Sequence, residues 1–266
     1  MNESIENLIK NAGSIARSAG ELILTLSSQE RQISYKSARD MVTEVDQASE
    51  NYIVSEINRL YPEHEILAEE GGGSTSSRSP YKWIIDPLDG TTNFVHGFPV
   101  FAVSIGILFE DELFAAAVYD PNRQELFTAG KGQGAFLNKE PISVSKTQEL
   151  GKSLLATGFS YFNDDYFKLN MDLWASIYGK TQGLRRAGAA AIDLAWLACG
   201  RLDGFWEFSL KPWDIAAGAL LVKEAGGLVS GPLGQDLDLN SGNIVAGNPR
   251  IHPLILNEFA AFKERM

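Results

Sequence analysis

Apolar residues recur at helical spacing at two places near the start of the chain. Ile5, Leu8 and Ala12 belong to a series with steps of three and four residues, which predicts an amphipathic helix over about the first two dozen residues. A second helix is predicted from Asp46 to Leu60, and Pro62 lies just beyond its end. A polar connection separates the two helices.

Apolar runs of strand length follow in the middle of the chain. Lys82 to Ile85 predicts a buried strand that is stopped by Asp86-Pro87. Phe101 to Phe109 and Leu113 to Tyr119 predict a hairpin, with Glu110 to Glu112 as its turn. These consecutive strands predict an antiparallel sheet in this part of the chain.

The second half of the chain returns to helical patterns, with strands between them. Helices are predicted from about Tyr166 to Ile177, from Ala189 to Ala198 and from Ile215 to Ala225, where Gly226-Gly227 ends the last one. Residues 71–77, rich in glycine and serine, predict a flexible loop. A chain of 266 residues with this mixture is expected to form one large domain or two intimate ones, of α+β or layered α/β class.

Composition and charge narrow the classes of function. The chain has 34 acidic and 23 basic residues, so its net charge of −11 provides no general attraction for nucleic acid or anionic lipid. One cysteine excludes an intramolecular disulfide, and Cys199 is expected to be a buried core thiol rather than a nucleophile. No apolar segment is long enough to span a membrane, so a cytoplasmic location is expected.

The stretch from Asp86 to Asn93, with sequence DPLDGTTN, carries the strongest chemical signal. Asp86 and Asp89 follow an apolar strand, and Pro87 forces a bend that can turn both carboxylates and an intervening carbonyl towards one point. Such oxygen ligands suit Mg²⁺, Mn²⁺ or Ca²⁺. The alternative is an ordinary type I turn, with aspartate and glycine in their usual places.

Two further acidic positions lie at the edges of apolar segments. Glu69 and Glu70 end a short apolar run, and Asp214 precedes an apolar helix. Taken singly, the glutamates fit a solvated strand end and Asp214 fits a helix N-cap. Three such clusters in one acidic chain favour a compensating cation, because close like charges repel.

These segments together resemble the inositol monophosphatase family of magnesium-dependent, lithium-sensitive phosphatases. The matching segments are Glu69-Glu70, the stretch from Asp86 to Asn93, and Trp213-Asp214 followed by Ile215 to Gly218. The resemblance implies an α+β fold, a layered αβαβα sandwich. It also implies a single catalytic domain over 1–266, with an N-terminal lobe at about 1–140, a C-terminal lobe at about 141–266 and the active site between them.

The resemblance implies two or three Mg²⁺ ions per active site. Glu69, Asp86 and the Leu88 carbonyl would hold the first ion, and Asp86, Asp89 and Asp214 the second. A third, weaker ion would share Glu69 and be bound mostly by waters.

The resemblance also implies how water and phosphate are held. The amides of Gly90 and Thr91 would receive the phosphate. Thr91 and Asp46 would activate the attacking water, with Glu70 close to the same water network. The alternative for Asp46 is a helix N-cap. Lys36 is either a solvated lysine or a positive neighbour of the metal carboxylates.

Substrate specificity is expected at the end of the site away from the metals. By the resemblance, the substrate's non-phosphate part would contact Gly188, Ala189 and Ala190, with Glu207 accepting hydrogen bonds from hydroxyls. Leu88, Asp89 and Asp214 would border the substrate as well. The family often has serine or threonine where this chain has Ala189.

Several other polar residues have ordinary explanations. The pair Arg185-Arg186 is expected to bind surface acids rather than a second phosphate. His64, His96 and His252 lie outside the matched metal positions, so surface or loop roles are expected for all three.

The expected function is hydrolysis of a small phosphate monoester, with inositol 1-phosphate as the leading substrate. Histidinol phosphate, fructose 1,6-bisphosphate and 3′-phosphoadenosine 5′-phosphate are alternatives, because similar proteins hydrolyse them. A non-catalytic regulatory role is a further alternative, since some bacterial members of the family engage the transcription machinery. The expected partners are a small phosphorylated polyol and a second copy in a homodimer, with no direct nucleic acid contact and no membrane.

Overall fold

The computed structural model describes residues 3–27, 33–37, 40–71, 73, 79–160 and 164–265, with the backbone alone for residues 33–37 and 40–42. The described α-helices are α1 (Ile5–Ser27), α2 (Glu44–Leu60), α3 (Thr91–Val95), α4 (Asp165–Tyr178), α5 (Ala190–Ala198), α6 (Pro212–Glu224) and α7 (Ile251–Phe259). Short 3₁₀ helices span Leu150–Lys152 and Ala260–Arg265.

Two large sheets and one small ladder contain the strands. The small ladder pairs β1 (Ile33–Ser37) with β2 (Asp40–Thr43). The seven-stranded sheet runs in chain order through β3 (Glu65–Ala68), β4 (Tyr81–Asp89), β5 (Ala102–Phe109), β6 (Glu112–Asp120), β7 (Glu125–Gly130), β8 (Gly134–Leu137) and β9 (Glu140–Pro141). The five-stranded sheet has the order β11 (Gly183–Arg185), β10 (Leu154–Thr157), β12 (Gly204–Glu207), β14 (Ile244–Gly247) and β13 (Leu228–Ser230).

Four apolar clusters of the described residues fill the spaces between the layers, the smallest of them formed by Ile84, Leu108 and Ala216. Helices α1 and α2 pack on one face of the seven-stranded sheet, where Ile15, Ile53 and Trp83 are buried together. Helices α5 and α6 lie between the two sheets. Helices α4 and α7 cover the outer face of the five-stranded sheet. The order is therefore helix, sheet, helix, sheet, helix, and the expected αβαβα architecture is confirmed.

Close packing fixes α6, the central helix that carries Asp214 at its start. A Cβ atom on Gly218 would lie 2.5 Å from the Leu194 side chain of α5, and one on Gly106 of β5 would lie 2.9 Å from Ala216. Both glycines therefore let α6 approach its neighbours more closely than any side chain would permit. This packing fixes the N-terminus of α6 relative to the end of β4.

Most elements with a strong pattern lie where the sequence predicts them. The first two helices and the Phe101 to Tyr119 hairpin are confirmed. The hairpin turn places Glu110 and Asp111 at φ of 51° and 63°, as expected for a tight turn between twisted strands. The predicted stop of the strand at Asp86-Pro87 is wrong, since β4 continues to Asp89.

Some expectations concern residues that the structure does not describe, and some elements of the structure were not predicted from the sequence. Most of the glycine- and serine-rich segment 71–77 lies outside the described residues, as does the side chain of Lys36. Helix α7 and the short strands β10 to β13 carried no predicted boundaries. Among the described residues, no helix is long and apolar enough to span a membrane.

Candidate active site

A bulge at the end of β4 places two carboxylates on the same side of the sheet. Asp86 pairs with Ser104 and Asp89 with Ala102, so three steps along β4 face two along β5. Residues three apart on a regular strand face opposite sides, and the extra residue removes that difference. Pro87, which cannot donate to the ladder, lies in the bulge, and its carbonyl accepts a hydrogen bond from Ser49 Oγ at 2.8 Å.

Backbone amides orient both carboxylates of the bulge. The Leu88 N–H donates to Asp86 Oδ1 at 2.9 Å. The Ala191 N–H, in the first turn of α5, donates to Asp89 Oδ2 at 2.7 Å. Backbone amides therefore orient both carboxylates, and the first turn of α5 provides more than one such amide for Asp89.

Thr91, the first residue of α3, connects the bulge to α2. Its hydroxyl lies 2.8 Å from Asp46 Oδ1 and 3.1 Å from the Leu88 carbonyl, and it can donate to either. The other oxygen of Asp46 accepts from the Thr43 amide at 2.8 Å and the Thr43 hydroxyl at 2.5 Å. Asp46 is buried, and hydrogen bonds to both of its carboxylate oxygens fix its orientation.

Asp46 and Asp214 occupy equivalent places in their helices. Thr43 is the N-cap of α2 and Lys211 that of α6, so the N-cap role considered for each aspartate is wrong by three residues. Each carboxylate instead accepts the N–H of its own N-cap residue, Asp214 from Lys211 at 2.7 Å. Asp46 and Asp214 can therefore each stabilise the start of a helix and also take part in the candidate site.

One cavity of about 430 Å³ brings most of the predicted residues together. The sequence-predicted residues that line it are Glu69, Asp86, Leu88, Asp89, Gly90, Thr91, Gly188, Ala189, Ala190, Glu207 and Asp214. Asp46 is not part of the lining and reaches it only through Thr91. Glu70 is also outside the lining, and its amide donates to Glu50 Oε2 at 2.7 Å.

The end of the cavity away from the bulge is built by α5 and β12. Asn93 Nδ2 donates to the Ala187 carbonyl at 2.9 Å, which connects the segment before α5 to α3. Glu207 is buried on β12, and a Cβ on Gly158 would lie 2.0 Å from its Oε1. Gly158 therefore provides the space that the Glu207 carboxylate occupies.

Arg186 also lines this part of the cavity. Its charge lowers the pKa values of Asp193 and Glu207, against the stronger effect of burial. The expectation of an ordinary surface ion pair does not describe it, because the described ion pairs do not include Arg186. Both arginines are exposed, but Arg185 is outside the lining of this cavity and donates to the Leu184 carbonyl.

Burial and mutual repulsion raise the pKa values of four carboxyl groups around the cavity. The pKa of Asp86 is well above its usual range because of burial, then the charges of Glu69, Asp89 and Asp214. Burial is also the main cause that raises the pKa of Asp89 to about 7. Asp193 and Glu207 are raised well above their usual ranges, again chiefly by burial. Such clusters are typical of functional sites.

The donor set at the bulge fits a hard divalent cation. Carboxylate and carbonyl oxygens converge from Asp86, Leu88 and Asp89 on a cavity where negative charge is otherwise destabilised. Among the described residues, no three acidic, histidine or cysteine side chains are already close enough to enclose an ion. Magnesium does not require such a cage, because it commonly keeps waters and binds one or two carboxylates together with substrate phosphate.

Sequence reasoning missed Asp193 and Gly158, which both line the cavity. Asp193 lies within the apolar run from Ala189 to Ala198, where a lone acidic residue in a buried helix is the available signal. Gly158 carries no comparable signal.

The expectations for the histidines and the cysteine need correction. His64 is buried, accepts from Trp83 Nε1 at 3.0 Å and stacks on Tyr61. His252 is buried beside Ser230, so only His96 is at the surface. Cys199 is half-buried rather than buried, although burial still raises the pKa of its thiol.

The family model described as the inositol monophosphatase family matches residues 4–264. The chain belongs to the inositol monophosphatase family. It is therefore a phosphatase, and members of this family are generally metal-dependent. The match covers nearly the whole chain and includes every residue that lines the cavity.

Individual relatives agree with the family assignment. The chain is 49% identical over 249 residues to "Nus factor SuhB" of Pseudomonas aeruginosa, with 91% of each chain covered. It is 48% identical over 244 residues to "Inositol-1-monophosphatase" of Synechocystis sp., covering 91% of this chain and 85% of the relative. The crystal structure of extragenic suppressor protein suhB from Bartonella henselae has a TM-score of 0.91 at 36% identity, covering 95% of this chain and 98% of that one.

Proposed function

We propose that this phosphatase hydrolyses a small polyol monophosphate with the aid of Mg²⁺, and that inositol 1-phosphate is its leading substrate. The carrying observation is the β4 bulge, which directs Asp86 and Asp89 into one cavity beside the hydrogen bond between Thr91 and Asp46. The name of the Synechocystis relative supports the choice of substrate.

Glu69, Asp86, Leu88, Asp89 and Asp214 would hold the metal ions. Bound divalent cations polarise phosphoryl oxygens and lower the pKa of bound water, which is the chemistry that slow monoester hydrolysis requires. The protein supplies fixed oxygens for this purpose, since backbone amides orient Asp86 and Asp89. We propose two or three Mg²⁺ ions per site.

Thr91 and Asp46 would position the attacking water. The Thr91 oxygen can accept a hydrogen bond from water while its own hydrogen is donated to Asp46 Oδ1. Asp46 in turn is fixed by the Thr43 amide and hydroxyl, so the water would be oriented rather than left to solvent. Glu70 would act on the same water network from outside the lining.

The phosphate and the leaving group would occupy opposite ends of the cavity. The first amides of α3, at Gly90 and Thr91, would receive the phosphate, because helical geometry leaves such N–H groups without partners in their own helix. Gly188, Ala189, Ala190 and Glu207 would contact the polyol. We propose a single catalytic domain in which the N-terminal lobe (about 1–140) and the C-terminal lobe (about 141–266) enclose this site.

A panel of four phosphate esters tests the substrate assignment. Inositol 1-phosphate, histidinol phosphate, fructose 1,6-bisphosphate and 3′-phosphoadenosine 5′-phosphate are compared by kcat/KM at saturating Mg²⁺. The proposal predicts the highest value for inositol 1-phosphate. A higher value for any of the other three would replace it as the substrate, without affecting the assignment as a phosphatase.

The names of several relatives favour a second role beside catalysis. The Pseudomonas aeruginosa relative is named a Nus factor, so a regulatory contact with the transcription machinery is the second candidate. The acidic balance of the chain argues for a protein partner rather than direct nucleic acid binding. Affinity capture of purified transcription proteins would test it, and a phosphatase-inactive Asp86→Asn variant would show whether capture requires catalysis.

A further inference from the structure

Asp193 is a buried carboxylate whose hydrogen bonds the protein does not complete. Its exposure is 1%, and its Oδ1 atom has no hydrogen-bond partner among the described residues. A buried polar atom without a partner costs free energy, so such atoms are rare in native proteins and call for an explanation. The explanation lies in the position of Asp193 at the active-site cavity.

Asp193 projects from the first turn of α5 towards the leaving-group end of that cavity. Its amide donates to the Ala189 carbonyl at 3.0 Å, so Asp193 lies one helical turn after Ala189 and on the same helix face. Helical side chains lean towards the N-terminus of their helix, which directs this carboxylate to the turn formed by Ala189 and Ala190. Those two residues carry only methyl groups and offer Asp193 no side-chain donor.

The surroundings of Asp193 fit a neutral hydrogen-bond donor better than a second metal site. Glu207 and Arg186 line the same end of the cavity, and the charge of the Arg186 guanidinium acts on Asp193 against the larger effect of the Asp89 charge. A hydroxyl group can donate to a carboxylate without adding charge. Polyol substrates carry several hydroxyls next to the phosphate ester, so one of them can reach Asp193 while another reaches Glu207.

We propose that Asp193 is a specificity-determining residue whose Oδ1 accepts a hydrogen bond from a hydroxyl group of the polyol leaving group, beside Glu207. This inference rests on the proposed function of the cavity. It explains why an aspartate with an unpaired oxygen lies in a helix that is otherwise apolar, because the substrate supplies the missing hydrogen-bond donor. A site built in this way selects substrates that carry a hydroxyl at the matching position.

The test compares two substrates in two variants. Inositol 1-phosphate carries ring hydroxyls, whereas p-nitrophenyl phosphate carries none on its leaving group. In Asp193→Ala, kcat/KM for inositol 1-phosphate should fall about 10- to 100-fold more than that for p-nitrophenyl phosphate, mostly through KM. Asp193→Asn retains an acceptor oxygen and should restore a large part of this selectivity.

Deoxygenated substrates then identify the hydroxyl itself. For the wild type, one monodeoxy derivative should be a much poorer substrate than inositol 1-phosphate. For Asp193→Ala, the same derivative and inositol 1-phosphate should have similar kcat/KM values, because the acceptor is already missing. The matched control is Asp203→Asn, a buried aspartate outside the cavity whose oxygens accept from Ser145 Oγ and the Leu154 amide. It should alter Tm without changing the ratio between the two substrates.

The outcomes separate this inference from the function on which it rests. Equal losses on both substrates, or an unchanged ratio, would overturn the role of Asp193 while leaving the phosphatase intact. A changed Mg²⁺ concentration for half-maximal activity in Asp193→Ala would also overturn it, in favour of a metal-binding role. Absence of turnover by the wild type on every ester would overturn the proposed function, and this inference with it.

Discussion

Thr91 and Asp46, 45 residues apart in the chain, are joined by a 2.8 Å hydrogen bond at the edge of the candidate active-site cavity. The bond connects the first residue of α3 to the first turn of α2, and each partner has a second described contact that fixes it. Helices α2 and α3 thus together hold the Thr91 hydroxyl next to the carboxylates of the β4 bulge. This relationship supports a shared role in positioning water.

The shared role predicts non-additive kinetics. Thr91→Val and Asp46→Asn should each lower kcat by roughly 10²- to 10⁴-fold, the range typical of lost acid–base assistance. The double variant should be hardly slower than either single one, because the two residues act as a unit. Thr91→Ser, which retains the hydroxyl, serves as the matched control and should stay close to wild type. Multiplicative losses in the double variant would refute the coupling.

Removal of one carboxylate from the bulge should stabilise the metal-free protein. Asp86 is buried and repelled by Glu69, Asp89 and Asp214, so Asp86→Asn should raise Tm in chelator while abolishing turnover. Mg²⁺ should raise the Tm of the wild type, since a ligand selective for the folded state stabilises it by RT ln(1 + [L]/Kd). The increase should be much smaller in Asp86→Asn. Equal shifts in both proteins would contradict metal binding at this residue.

The raised pKa of Asp89 predicts a definite pH dependence for the metal-free protein. The folded pKa is about 7 against an ordinary 3.8, so the folded state binds more protons between these values. The contribution of Asp89 to stability is present below pH 3.8 and is lost as the pH rises through 7. The Tm of wild type minus that of Asp89→Asn should therefore decrease from pH 5 to pH 8.

The comparison with Asp89→Asn removes the effect of titrating groups that do not interact with Asp89. Burial lowers the pKa values of His64 and His252, which contributes a slope of opposite sign in both proteins. The difference between the two melting curves cancels this contribution. A difference that is flat between pH 5 and pH 8 would show that Asp89 is ionised throughout in the folded state.

Gly158 offers a test of the leaving-group end. A Cβ there would lie 2.0 Å from Glu207 Oε1, so Gly158→Ala must displace that carboxylate. We expect kcat/KM for inositol 1-phosphate to fall roughly 10- to 100-fold, because small displacements of positioning groups are costly. Gly179→Ala is the matched control, since its Cβ would meet nothing within 4 Å. Equal activity of the two variants would exclude Glu207 from substrate binding.

Lithium should inhibit the enzyme at submillimolar to millimolar concentrations, on the order expected for a small, weakly held cation. Li⁺ resembles Mg²⁺ in size but has half the charge, so it can occupy a magnesium position without supporting turnover. Initial rates on inositol 1-phosphate measured against LiCl, with NaCl as the ionic-strength control, test this. Full activity at tens of millimolar LiCl would contradict this prediction.

Sequence pattern was sufficient where several local signals agreed. Helix α1 has a long amphipathic pattern, whereas the hairpin at Glu110 and Asp111 and the DPLDGTTN stretch each join an apolar run to turn residues. The strands β10 to β13 have only three or four residues, too few for a pattern to separate them from loops. Pro87 predicts a bend that turns Asp86 and Asp89 together, but the bulge and the continuation of β4 to Asp89 depend on its pairing with β5.

In the candidate site, too, some residues could be predicted from local sequence and others only from the tertiary structure. The acidic residues of the metal end could be found because they interrupt apolar segments, as Asp86 and Asp214 do. Asp193 and Gly158 acquire their meaning only from the tertiary structure, where α5 and β12 converge on the cavity. His64 lies in the loop between α2 and β3, but its burial between Tyr61 and Tyr81 is set by long-range packing that a sequence pattern does not show.

The most direct measurement of the central claim is phosphate release from inositol 1-phosphate as Mg²⁺ is titrated into metal-free enzyme, for the wild type and for Asp86→Asn. The account predicts no turnover in excess chelator, saturable activation of the wild type by Mg²⁺, and no activity of Asp86→Asn at any Mg²⁺ concentration despite a cooperative melting transition. Full turnover by the wild type in chelator, or wild-type rates from Asp86→Asn, would contradict it.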